Sequence, residues 1–80
     1  MVCEFLPQKY KELLIEIADA DDLIKAGYGK RSVYMVKKAK IISDERCEKL
    51  INVLGERAVP VLKEAFDEFY NELKQRHVLL

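Results

Sequence analysis

The sequence predicts an all-α fold of about five helices, and three observations carry that prediction. Apolar residues recur at three- and four-residue spacing in segment after segment. Pro, Gly and short Asp- or Ser-led runs separate those segments at the positions where helices start and stop. No segment alternates apolar and polar residues long enough to form a strand, and "KIIS" at 40–43 could be extended for a few residues only. The chain has 80 residues, half of them hydrophobic and 35% charged, with no repeat, low-complexity tract or Gly/Ser linker. That suits one small domain, 1–80, near the lower end of what folds on a single core.

The first helix starts near Pro7, which fits a first turn, and Tyr10, Leu13, Leu14 and Ile17 give it one apolar face. "DADD" at 19–22 then supplies a cap and first-turn acids for a second helix. That helix is short, 20–26, because Gly27 stands at a stop position. After the turn "GYG", a third helix runs from Lys30 or Arg31 to Lys40, with Val33 and Val36 on one side. Ser43 is an N-cap, backed by Asp44 and Glu45, for a fourth helix whose inward set is Cys47, Leu50, Ile51 and Leu54. Gly55 ends it. The last helix, 56–77, starts near Glu56 or Arg57 and takes Pro60 in its first turn. Val61, Leu62, Ala65, Phe66, Phe69, Tyr70 and Leu73 form its stripe.

Formal net charge is zero, yet the charge is unevenly placed along the chain. Residues 1–22 carry −4, 23–43 carry +6 with no acid among them, and 44–80 carry −2. What matters for a polyanionic partner is the local patch, so a zero total does not argue against nucleic acid. The bland alternative is that these lysines are only a solvated face.

No apolar run approaches the roughly 20 residues needed to span a bilayer, and "MVCEFLPQKY" has no signal-peptide pattern. A cytoplasmic location follows as an expectation, with Cys3 and Cys47 as reduced thiols. A disulfide stays open, particularly in a hyperthermophile. Two cysteines and the single His77 fit no zinc spacing, so neither metal nor cofactor is expected.

The basic region has internal order. A short helix, a glycine-containing turn and an amphipathic helix make the sequence form of a helix-turn-helix. Gly27 permits the turn without a Cβ clash, Tyr28 fills the gap beneath it, and Val33 and Val36 pack on Leu23. Arg31, Tyr34, Met35 and Lys38 then look outward and are the candidate base contacts. Arginine bonds guanine bidentately, while Tyr and Met suit a thymine methyl. Lys25, Lys30, Ser32, Lys37 and Lys40 are the candidate phosphate contacts, which position without reading sequence. The alternative for Tyr34 and Met35 is core packing.

With those residues in view, "DLIKAGYGKRSVYMVKKAKIISDERCEKLINVLG" resembles the helix-turn-helix domains of small prokaryotic repressors. Similar domains occur in archaeal plasmid and viral regulators and integrases. The matching residues are Gly27, Tyr28, Val33 and Val36, and the likeness covers the helix-turn-helix core, 19–55. Such domains usually place a small residue four positions before the turn glycine, where this chain has Leu23. Asp22 precedes it where an apolar residue is usual. The resemblance implies sequence-specific binding of double-stranded DNA, for transcription regulation or plasmid or virus maintenance by operator occupancy. It also implies a homodimer on palindromic half-sites. Phe66, Phe69, Tyr70 and Leu73 are the candidate dimerisation residues, with "HVLL" at 77–80 adding apolar weight. Packing of the stripe on the first helix is the alternative, and "MVCEFL" could cover the same surface.

An enzyme is not expected. There is one His, two Ser and no Thr, and a Cys47–His77 pair would have neither orienting partner nor oxyanion donors. Adjacent acids such as Asp21 and Asp22 point apart on a helix and read as caps or solvated faces. "GYGK" falls short of a phosphate-cradling loop. No small-molecule substrate or membrane partner is implied. Two other classes stay open: a helical protein–protein module whose basic face docks an acidic partner, and an accessory DNA-binding domain of a recombinase or partition system.

Overall fold

Five α-helices, two 3-10 turns and no strand make up the computed structural model, which describes residues 2–76. The helices are α1 (Gln8–Ile17), α2 (Ala20–Lys25), α3 (Lys30–Ala39), α4 (Asp44–Leu54) and α5 (Val59–Gln75). The 3-10 turns are Val2–Glu4, ahead of α1, and Gly55–Ala58, between α4 and α5. Among the described residues no helix is long and apolar enough to cross a membrane.

Local chemistry sets the boundaries. Asp19 and Asp22 form a reciprocal capping box at the start of α2, each carboxylate accepting from the other's backbone N–H at 2.9 and 3.0 Å. The Ser43 hydroxyl accepts from the Arg46 N–H to cap α4. Gly55 takes φ +57° at the end of α4, and the chain tightens into a 3-10 turn before α5. The last α-helix therefore begins at Val59 rather than near Glu56, with Ala58 in that turn fully buried.

One core joins all the elements. Leu14 and Ile15 of α1, Leu23 of α2 and Leu50 of α4 are its largest fully buried side chains, each worth about 1.5–3 kcal/mol of burial. Val33 and Val36 bring α3 into it, and Val61 and Ala65 bring α5. Helix α1 packs against α3, α4 and α5 together. This rotates its buried sector towards Ile15 and Ala18 and leaves Ile17 exposed, against the expected face.

One expectation needs correction. Cys3 and Cys47 are not reduced thiols: they form a disulfide that ties the first 3-10 turn to α4. The alternative placement of the α5 stripe, on α1, is not seen for Phe66, Phe69 and Tyr70, which are exposed while Val61, Ala65 and part of Leu62 turn inward. The second half of α5 is exposed along its length, and only Leu73 is half-buried there.

Candidate nucleic-acid interface

Helices α2 and α3 pack against each other, joined by residues 26–29. The turn is built around Gly27 at φ +109°, a conformation that L side chains rarely adopt. A Cβ at position 27 would also fall 1.8 Å from Nη1 of Arg46. Arg46, from α4, donates to the Ala26 carbonyl at 3.4 Å and lies 5.2 Å from the Tyr28 ring centroid, so it clamps the turn from below. Tyr28 is half-buried against the core, and that burial raises its phenol pKa.

Asp22 departs from the pattern of apolar residues, and the fold absorbs it. Its carboxylate is buried and receives both guanidinium nitrogens of Arg57, at 2.8 and 2.9 Å. Arg57 sits in the turn before α5, so this bidentate pair fastens α2 to the far end of the chain. The Arg57 hydrogen bonds, with those of the capping box, hold the Asp22 pKa down to about 2. Asp22 is thus a buried anchor, not part of a solvated acidic face.

Helix α3 presents its expected outward strip. Tyr34 and Met35 are 67% and 60% exposed, and Arg31 and Lys38 are exposed beside them. At 100° per residue these four fall within one wedge of about a quarter turn, opposite Val33 and Val36. Core packing of Tyr34 and Met35 is therefore ruled out in the single chain. Lys25, Lys30 and Ser32 are exposed around the strip. Lys25, Lys30, Arg31 and Lys38 make no ion pair among the described residues.

Two candidate phosphate contacts are placed elsewhere. Lys37 turns inward, and its ammonium donates to the carbonyls of Ile15 (2.9 Å), Glu16 (3.4 Å) and Ala18, capping the C-terminal end of α1. Its sequence position carries the signal, since Lys37 lies four residues after the buried Val33 and shares its side of the helix. Lys40 ends α3 in the left-handed conformation, φ +54°, and pairs with Glu16. That hydrogen bond raises its pKa, while Gln8 Nε2 donates to its carbonyl at 3.0 Å. Both lysines are spent on holding α1 against α3.

The candidate dimerisation residues occupy a separate place. Phe66 and Phe69 border an apolar cleft of about 490 Å³ between α5 and the N-terminal segment, which Val2, Phe5 and Val59 also line. The described part of "MVCEFL", residues 2–6, is thus one wall of this surface and not its cover, with Phe5 81% exposed. Beneath it, Glu68 accepts from Lys9 and from the Tyr10 hydroxyl, joining α1 to α5. These bonds lower the Glu68 pKa and raise that of Tyr10. His77 and the "HVLL" segment lie outside the described residues, and Cys47 of the conceivable Cys–His pair is held in the disulfide.

No protein-family model, curated protein or solved structure matches the chain.

Proposed function

We propose that the protein binds double-stranded DNA sequence-specifically, inserting α3 into the major groove as the second helix of a helix-turn-helix. The observation that carries the reading is the α3 strip: two long exposed side chains, Tyr34 and Met35, set between Arg31 and Lys38, which make no ion pair among the described residues. A purely electrostatic patch has no use for exposed Tyr and Met. Base edges do.

In this reading Arg31, Tyr34, Met35 and Lys38 meet bases, and Lys25, Lys30 and Ser32 meet phosphates. Lys37 and Lys40 are structural. The mechanism is occupancy of a control site by a homodimer paired through α5, and no catalytic step is involved. The protein acts in the cytoplasm, and its disulfide is the kind of intracellular bond that hyperthermophiles keep.

Selection of bound duplexes from a random pool tests this directly. Enrichment of a common motif arranged as an inverted repeat is expected. A pool with no enriched motif would remove sequence-specific recognition.

A further inference from the structure

The cleft beside α5 is a second surface, and its chemistry differs from that of α3. Phe5, Phe66 and Phe69 are 81%, 67% and 56% exposed around it, with Val2 and Val59 53% and 56% exposed beside them. At 150–250 Å² for each aromatic side chain, the three leave on the order of 400 Å² of side-chain surface uncovered. An apolar patch of about this size on a single chain often serves an interaction. Doubled across two copies, and with the valines added, it comes towards the ~1,200 Å² at which specific interfaces begin.

The spacing indicates which partner fits. Leu62, Phe66, Phe69 and Leu73 are separated by four, three and four residues. That pattern reads identically in both directions about the midpoint between Asp67 and Glu68. A second α5 running antiparallel therefore sets Phe66 against Phe69 and Leu62 against Leu73, an isologous two-fold contact. In the same register Lys63, which makes no ion pair among the described residues, falls level with Glu72 of the second copy. A parallel pair would instead set Lys63 level with Lys63. The antiparallel arrangement also sets the exposed second half of each α5 against the cleft walled by the other's Val2 and Phe5.

We infer that the occupant of this cleft is a second copy of the chain, its α5 antiparallel and in the register that pairs Phe66 with Phe69. This deepens the homodimer of the preceding reading but needs no DNA. Sedimentation equilibrium without nucleic acid is expected to give a dimer for the wild type. Phe66→Glu is expected to give a folded monomer with unchanged helical circular dichroism, since that side chain is mostly exposed in the single chain. A mixture of Val59→Cys and Arg76→Cys proteins, treated with a short bismaleimide, then reports the register, because the chain has no free cysteine among its described residues. Mixed 59–76 adducts are expected. Self-adducts require the two like positions, about 25 Å apart along an antiparallel pair, to meet.

Self-adducts in place of mixed ones would overturn the register. A monomeric wild type, or a Phe66→Glu dimer, would overturn the pairing, and capture of the monomer by neutral lipid vesicles would assign the cleft to a bilayer surface. A monomer that still selects a DNA motif would sink this inference and leave the role of α3 standing.

Discussion

Helices α3 and α5 both expose large side chains, but what surrounds those side chains differs. On α3, Tyr34 and Met35 stand among cations that make no ion pair among the described residues. On α5, Phe66 and Phe69 stand over an apolar cleft whose charged rim is Lys63, Glu68 and Glu72. The first environment suits a polyanion and the second an apolar partner. A net charge of zero hides this division, because the +6 of 23–43 is cancelled by acids placed elsewhere in the chain.

The two surfaces also rest on different supports. The N-terminal wall of the α5 cleft hangs on the Cys3–Cys47 disulfide, and the α3 strip does not. Closing a loop over 44 positions contributes about 4 kcal/mol in the chain-entropy model. Cys47→Ala, or reduction, is therefore expected to give the largest loss of stability, read from denaturant midpoints with and without a dithiol. A loss below about 1 kcal/mol would show that the bond constrains little.

Next in size is the anchor beneath the helix-turn-helix. Asp22→Asn is expected to cost about 2 kcal/mol, at the lower end for a buried charge-assisted pair because Arg57 can reach water. The sign of the pH effect follows from the depressed folded-state pKa. The contribution of Asp22 is complete above its ordinary value of 3.8 and is lost as pH falls towards about 2. Acid unfolding of the wild type should therefore show a component in that window which Asp22→Asn lacks. Gly27→Ala comes close behind. A side chain at φ +109° that displaces Arg46 costs about 2 kcal/mol, measurable as a lower midpoint with an unchanged denaturant slope.

The helices themselves were legible because caps and breakers act locally. Ser43, Gly27, Gly55 and the "DADD" run each do chemistry within one turn of their own position. The outward strip of α3 was legible for the same reason, since helical periodicity alone separates Arg31, Tyr34, Met35 and Lys38 from Val33 and Val36. The Asp22–Arg57 pair was not. Its partners are 35 positions apart, and nothing local distinguishes a buried aspartate from a capping one. The Cys3–Cys47 bond is hidden by a like separation, and the lack of a signal-peptide pattern pointed instead to reduced thiols. The inward turn of Lys37 lies between these cases: its wheel position shows the direction, but only the open carbonyls at the end of α1 supply the reason.

That neighbouring pair gives the smallest and sharpest contrast on the basic side. Lys37→Met is expected to cost about 1 kcal/mol of stability and to leave DNA affinity unchanged. Lys38→Ala is expected to do the reverse, with native stability and a relaxed preference at one base pair. Equal effects on binding would mean that Lys37 leaves its carbonyls to meet the duplex.

The most direct measurement is the affinity of the wild type for its selected duplex as a function of salt. Each subunit brings Lys25 and Lys30 to phosphates, so a log–log slope of about −2 per half-site is expected. Arg31→Ala should relax preference at one base pair. Binding that is undetectable, or indifferent to salt, would contradict the assignment of α3 as a DNA-reading helix.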